Sequence, residues 1–348
     1  MSDTLLEYQN LGLYFFTDEG VVKAVDGVDL VVKRARTLCV VGESGCGKSV
    51  MAQAALRIVQ APGRIVSGKI IWHGNPAQQQ DIAALNPKGP EIRAIRGDQI
   101  SMIFQEPMTS LSALHSIGDQ IVEVIRLHRG LSKEQAHALA IQMLDQVRIP
   151  RPERLVDEYA FRLSGGMRQR AMIAMALSCS PSLLIADEPT TALDVTTQAQ
   201  ILDLMLELQE DYDMAIMFIT HDLGVVAEIA ADVAVMYLGR VVEYGDVDTI
   251  FNSPKHPYTR ALLSSIPKVT IEREPLEPIK GMVPNPFRRP SGCTFHPRCD
   301  YAMPICKKRE PTTIQVAPGH TVRCLLYESN ESAQDETASG DANQVEIQ

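Results

Sequence analysis

The chain of 348 residues carries 43 acidic against 33 basic side chains, a formal net charge of −10, with 45% hydrophobic residues. At this length a sizeable core can be buried in one large domain or two modest ones, and the acidic balance argues against a nucleic-acid binder working through a general basic surface. No apolar run approaches the roughly 18 residues of a membrane span, and Met1-Ser2-Asp3-Thr4 lacks both the basic start and the apolar core of a signal peptide, so a soluble, cytoplasmic chain is expected.

Residues 1 to about 110 read as strands separated by polar turns. Val28, Leu30 and Val32 alternate with other side chains, and Thr37 to Val41 forms a short apolar run ending in glycine. From about Pro107 to Ala176 the texture is helical, and Ser132 with Gln135 three residues later predicts a helix start. Leu183 to Ala186 and Ala215 to Ile219 read as strands, with Ile201, Leu204, Met205 and Leu208 on one face of a helix between them. This alternation predicts a mostly parallel sheet covered on both faces, an α/β fold into which the helical stretch is inserted.

Beyond Ser253 the composition changes. The proline-rich stretch 254–290 predicts a poorly regular connector, and a cysteine-bearing segment, Cys293 to Cys324, follows. Residues Glu328 to Gln348 hold six acidic side chains and neither lysine nor arginine, a disordered tail by composition. The remainder therefore carries only −4, and acidity is mainly a property of an appendage. The expected division is a body over 1–253 with its helical insertion at about 107–176, an extension over 254–327 and a tail over 328–348.

The chemistry begins at Gly42-Glu43-Ser44-Gly45-Cys46-Gly47-Lys48-Ser49, which follows the strand ending at Val41 and opens an apolar helix predicted over Ser49 to Val59. This is GxxxxGKS in its required strand–loop–helix setting. Glycines let the loop fold around a polyphosphate, so that successive N–H groups and the helix start face the anion. Lys48 then supplies charge to the β- and γ-phosphates, and the Ser49 hydroxyl can bind Mg²⁺. A nucleoside triphosphate is expected here. The strand Leu183-Leu184-Ile185-Ala186 delivers Asp187 towards the metal and places Glu188 one residue further, where a carboxylate can deprotonate the attacking water.

A second anion site is offered by Leu163-Ser164-Gly165-Gly166-Met167-Arg168-Gln169-Arg170, a hydroxyl and two glycine N–H groups at a helix start. The string resembles the signature motif of ATP-binding-cassette (ABC) ATPases, in which it caps the γ-phosphate of ATP bound to the opposite subunit. The other elements of that family resemble stretches of this chain in the same order. Gln105, in Ile103-Phe104-Gln105-Glu106-Pro107, looks like the glutamine that joins the metal site to the helical insertion. Ala192-Leu193-Asp194 looks like the D-loop of the dimer interface, and His221, in Ile219-Thr220-His221-Asp222, like the switch histidine on the γ-phosphate. Phe15 is the aromatic placed to stack on adenine, with Tyr14 and Phe16 as alternatives. The resemblance covers roughly residues 5–330. It implies a RecA-like P-loop core with an antiparallel β subdomain, a helical insertion and a small irregular C-terminal extension.

Two features resemble the subfamily that imports dipeptides and oligopeptides: the signature ending Gly166-Met167-Arg168, and His256-Pro257-Tyr258-Thr259-Arg260 followed by Val283-Pro284 and Cys293-Thr294-Phe295-His296-Pro297-Arg298-Cys299. Ser112-Ala113, Phe161-Arg162 and Thr191 depart from the common family residues, the first two in the insertion that faces the membrane subunits, so the substrate class is less firmly implied than the mechanism. The same architecture also serves nickel, opine and oligosaccharide importers.

The resemblance implies two cassettes meeting head to tail around two ATP·Mg²⁺ at the cytoplasmic face of the inner membrane. The partners implied are a second, related ATPase, two membrane permease subunits and an external solute-binding protein, and no nucleic acid. A homodimer stays open, as does a soluble ABC ATPase of DNA repair or translation.

The seven cysteines divide unevenly. Cys39, Cys46 and Cys179 read as small buried residues. Cys293, Cys299, Cys306 and Cys324 are spaced C-x₅-C-x₆-C-x₁₇-C, without the CxxC of zinc ribbons, and the spacing leaves disulfides, zinc and iron–sulfur open. A reducing compartment disfavours disulfides. Resemblance to the transporter ATPases with this extension implies a [4Fe–4S] cluster on these four residues, with zinc as the alternative and His296 and His320 as nearby alternates.

Overall fold

The computed structural model describes residues 3–75, 78–105, 110–191, 193–265 and 279–328. Glu106, Pro107, Ala192 and the tail beyond Glu328, all named above, lie outside the described residues.

The strands are β1 (Thr4–Thr17), β2 (Gly20–Lys33), β3 (Thr37–Val41), β4 (Gly63–Asn75), β5 (Gln78–Asp81), β6 (Ile100–Ile103), β7 (Leu183–Asp187), β8 (Ala215–Thr220), β9 (Asp232–Tyr237), β10 (Arg240–Asp246), β11 (Ile314–Ala317) and β12 (His320–Val322). They form an antiparallel sheet of order β2-β1-β4-β5 and a larger one of order β11-β12-β10-β9-β3-β8-β7-β6. In the larger sheet β9, β3, β8, β7 and β6 run parallel, and β10, β12 and β11 close one edge antiparallel. The central strands are buried on both faces, as parallel sheets between covering layers must be. Alternation along β3 divides them: Cys39 and Val41 enter one core, Leu38 and Val40 the other.

The helices are α1 (Lys48–Ala55), α2 (Pro90–Ile95), α3 (Ile117–Arg129), α4 (Lys133–Gln146), α5 (Pro152–Leu155), α6 (Gly165–Leu177), α7 (Val195–Tyr212), α8 (Leu223–Ile229), α9 (Val247–Asn252) and α10 (Pro257–Ser264). One core packs α1 and the antiparallel sheet against the central strands, and the other packs α3, α4, α6 and α7 on the opposite face. The stripe Ile201, Leu204, Met205 and Leu208 lies buried along α7, and Ser132 and Gln135 cap α4 reciprocally.

Three expectations are corrected. The helix after the phosphate loop ends at Ala55 rather than Val59, because Arg57 takes a left-handed backbone (φ 53°) that no helix can continue. The proline-rich stretch holds a helix, α10, since Pro257 stands at its first turn, where no backbone N–H is needed, and the His256 ring caps it through Nδ1 on Tyr258 N–H at 3.0 Å. The extension is also less irregular than its composition suggests: β11 and β12 form a hairpin that adds to the main sheet, pairing Val322 with Glu243 and Thr321 with Tyr244.

Candidate functional site

Parallel alignment brings the carboxyl ends of β3, β6, β7 and β8 to one edge, the place where open α/β sheets bind ligands. Val41 stands opposite Thr220, Asp187 opposite Ile219 and Ile103 opposite Ala186, so the residues following each strand converge. The phosphate loop, Gln105, Asp187 with Glu188, and His221 thereby become neighbours.

The loop's shape depends on two glycines. Gly42 (φ 151°) and Gly47 (φ 104°) press their α-carbons on carbonyls: an added Cβ would lie 2.2 Å from the Met236 oxygen and 2.1 Å from that of Ala24. Lys48 is buried, and its Nζ donates to the carbonyls of Gly42 (2.7 Å) and Glu43 (3.2 Å), with Cys46 Sγ at 3.8 Å. These partners are all uncharged, so no carboxylate among its hydrogen bonds competes with an anion, as a phosphate cradle requires.

Ser49 Oγ donates to Asp187 Oδ1 at 2.9 Å. Burial pushes the Asp187 carboxyl above the usual carboxylate range and the neighbouring Glu188 adds to this, against the lowering effect of the Ser49 hydroxyl and Lys48. The Ser49 hydroxyl and the buried Asp187 carboxyl, bonded to each other, are oxygen donors of the kind that Mg²⁺ takes.

Glu188 adopts φ 47°, which is uncommon for a residue with a side chain and costs of order 1–3 kcal/mol, a strain held by the surrounding fold. Its Oε2 accepts from Gln105 Nε2 (3.0 Å) and Thr191 Oγ1 (3.1 Å), and its Oε1 lies 3.4 Å from His221 Nδ1. Thr191, noted in the sequence only as a departure from the D-loop pattern, is thus a direct partner of this carboxylate. His221 also shares with Gly42, Glu43 and Arg298 the wall of a cavity of about 440 Å³.

The signature packs against the start of α7, with Gly165 facing Leu193 and Gly166 facing Thr197. Ser164 Oγ accepts from Met167 N–H and caps α6, while a Cβ at Gly166 would meet the Thr197 methyl at 2.8 Å. Asp194 caps α7, accepting from Thr197 N–H (3.0 Å) and Oγ1 (2.7 Å), and the latter bond holds its carboxyl below the usual range. Among the aromatic candidates, the Tyr14 hydroxyl is spent on Asp26 (2.7 Å) and Arg64 covers the Phe16 ring at 4.0 Å. Phe15 packs beside Gly63 and Val59, close to the end of α1.

The four C-terminal cysteines share one neighbourhood. Cys293 N–H donates to the Cys306 carbonyl (2.8 Å), and Cys306 Sγ accepts from Met303 N–H (3.4 Å). Burial first, and the other thiols in addition, raise Cys293, Cys299 and Cys324, the last to about 11. All seven cysteines are unbridged, and among the described residues no three His, Cys, Asp or Glu side chains are grouped to hold a metal ion. The expected iron–sulfur or zinc centre therefore finds no support in this geometry, in which the sulfurs neighbour one another without forming a ligand shell.

The parallel sheet, the phosphate loop and the convergent Gln105, Glu188 and His221 define a P-loop ATPase of ATP-binding-cassette architecture. The chain matches the family described as ABC transporter over residues 25–191, and that described as Oligopeptide/dipeptide transporter, C-terminal region, over residues 242–306. It is 48% identical over 331 residues to the oligopeptide transport ATP-binding protein AppD of Bacillus subtilis (strain 168), covering 95% of this chain and 99% of that protein. The dipeptide transport ATP-binding protein DppD of Escherichia coli (strain K12) is 45% identical over 320 residues, covering 92% and 96%. Among solved structures, a dimeric ATP-binding cassette in a post-hydrolysis state, bound to ADP and Pi, superposes with a TM-score of 0.61 at 25% identity, covering 70% of this chain and 99% of that one. A cassette protein of Clostridium perfringens, part of an ABC transporter complex, gives 0.59 at 26% identity over 72% of this chain and 92% of its own. The chain belongs to the ABC transporter family, among its oligopeptide/dipeptide-type ATP-binding proteins. No helix among the described residues is long and apolar enough to cross a membrane.

Proposed function

We propose that this chain is the ATP-hydrolysing subunit of an importer of dipeptides or oligopeptides. It would dock at the cytoplasmic face of the inner membrane on two permease subunits fed by an external solute-binding protein. The observation that carries this reading is similarity along almost the full length to ATP-binding proteins named for oligopeptide and dipeptide transport, including the matched C-terminal region. A second, related ATPase as dimer partner follows from the family resemblance and is part of the same proposal.

In this reading the body is 1–253, the extension 254–327 and the tail 328–348. Gly42, Ser44, Gly45, Cys46 and Gly47 wrap the phosphates with backbone N–H groups, Lys48 neutralises their charge, and Phe15 stacks on adenine. Ser49, Asp187 and Gln105 would hold Mg²⁺, which would supply charge neutralisation to the bound phosphates. Glu188 accepts the proton of the attacking water, positioned by Gln105 and Thr191, and His221 contacts the γ-phosphate. Ser164, Gly165, Gly166 and Asp194 serve the site of the opposite subunit. Ser164 and Asp194 make their hydrogen bonds within the first turns of α6 and α7, which supports this assignment by leaving the phosphate loop without a contribution from them among these contacts.

The decisive experiment reconstitutes the ATPase with its permease and binding protein and measures ATP hydrolysis with peptides, oligosaccharides, opines and nickel in turn. Stimulation by peptides alone is expected. Stimulation by another solute and not by peptides would reassign the substrate, and a protein that purifies without membrane subunits would remove the transport reading. For the four cysteines we carry the [4Fe–4S] reading only as a proposal, which rests on the family resemblance and not on the geometry of the sulfurs. A colourless, iron-free preparation purified anaerobically would end it, and stoichiometric zinc would replace it.

A further inference from the structure

The phosphate loop is held from the far end of the chain. Glu43, its second residue, receives two parallel hydrogen bonds from Arg298, Nη1 to Oε2 at 2.6 Å and Nη2 to Oε1 at 3.0 Å. The Arg298 side chain is only 3% exposed, and its Nε is spent on the Lys280 carbonyl at 3.0 Å. Above the guanidinium stands Tyr237, within an aromatic group completed by Tyr258 and Phe295. Tyr258 is fully buried, and its hydroxyl accepts the backbone N–H of Glu43 at 2.9 Å. The carbonyl of the same residue accepts from Lys48 Nζ. Glu43 therefore has its side chain and N–H fixed by residues after the body of the cassette, while its carbonyl carries the lysine of the cradle.

The charges explain why this matters. A carboxylate in a loop that wraps a polyanion repels its ligand unless it is neutralised. Arg298 supplies that charge in bidentate form, and an arginine remains charged under any condition the protein meets. We propose that Arg298 is a positioning residue for nucleotide binding, neutralising Glu43 and fixing the loop's second residue, so that the C-terminal extension forms part of the ATP site. This rests on the reading of the loop as the nucleotide site.

The test titrates the full-length protein and its variants with the fluorescent analogue mant-ATP in the presence of Mg²⁺. Arg298→Met should weaken binding about tenfold or more, because it leaves Glu43 charged and unpaired beside the phosphates. Arg298→Lys should recover part of the loss. The Arg298→Met/Glu43→Gln double variant should bind more tightly than Arg298→Met alone, a recovery that a merely structural strut would not show. Glu43→Gln alone should bind at least as tightly as the wild type, since it removes the charge that repels the phosphates while its amide oxygen can still accept from the guanidinium, and this arm decides the matter if Arg298→Met fails to fold. Unchanged affinity in Arg298→Met, a double variant no better than the single one, or weaker binding by Glu43→Gln would overturn the proposal. A wild-type protein that does not bind mant-ATP would overturn the nucleotide reading itself, and this proposal with it.

Discussion

Glu188 Oε1 and His221 Nδ1 lie 3.4 Å apart, at the ends of two neighbouring parallel strands. With Gln105 and Thr191 on its other oxygen, the carboxylate is oriented from both sides before any substrate arrives. Replacement by glutamine keeps the shape and removes the basicity. Glu188→Gln should bind ATP and dimerise, while steady-state turnover falls by about 10²–10⁴-fold. Hydrolysis at the wild-type rate would show that another group takes the proton.

Asp187 makes a prediction with a sign. Its carboxyl is raised chiefly by burial, so folding favours the protonated form. The stability this contributes is present at low pH and is lost as pH rises through the folded-state value. At pH 7, without nucleotide, Asp187→Asn should therefore melt higher than the wild type, with the gap closing as pH is lowered towards 4. The same variant should lose the stabilisation that Mg²⁺·ATP gives the wild type. Melting curves across pH, with and without ligand, check both statements, and a variant that melts lower at pH 7 would contradict the first.

Much of this architecture can be read from the chain because the signals are local. Apolar runs followed by polar loops, at Thr37–Val41, Leu183–Ala186 and Ala215–Ile219, announce a buried parallel sheet, and GxxxxGKS carries its own setting. The arrangement of Gln105 with Glu188, and of Ser49 with Asp187, lies in strand order, which separate motifs imply only through a family resemblance. What escaped is of two kinds. Arg57 and Glu188 take left-handed backbone conformations that tertiary packing imposes on ordinary side chains. The contacts of Glu43 with Tyr258 and Arg298, and the β11–β12 hairpin on β10, join segments far apart in the chain, and no periodicity marks them. Proline content also misled at α10, where its position mattered more than its abundance.

Two glycines of one loop should respond differently to the same change. Gly47→Ala places a methyl 2.1 Å from the Ala24 carbonyl at φ 104°, so β2 or the loop must move. The expected loss is at least ~2 kcal/mol of stability, together with nucleotide binding. Gly45 (φ 77°) has nothing within 4 Å of an added Cβ, and Gly45→Ala should cost only ~1–2 kcal/mol, the backbone penalty alone. Urea unfolding of both variants distinguishes crowding from backbone preference, and equal losses would show that φ, not the Ala24 contact, sets the cost.

Asp26 joins three parts of the molecule. Its Oδ2 accepts from Arg240 Nη2 and from Arg289 Nη1, each at 2.7 Å, and its Oδ1 from the Tyr14 hydroxyl. Arg240 in turn reaches Glu310, so β1, β2, β10 and the extension meet around one carboxylate. Burial alone would raise Asp26, but the Tyr14 bond and the two guanidinium groups outweigh it and hold the carboxyl at about 2. A depressed carboxylate contributes stability above its unfolded value near 4, and that contribution is lost as pH falls from about 4 to 2. Asp26→Asn leaves two largely buried guanidinium groups without their shared counter-charge and should destabilise the protein by roughly 3–5 kcal/mol. The deficit measured by denaturant unfolding at pH 7 should narrow as the wild type loses its own pair below pH 4. A deficit that stays constant down to pH 2 would place the stabilising role of this cluster in packing rather than charge.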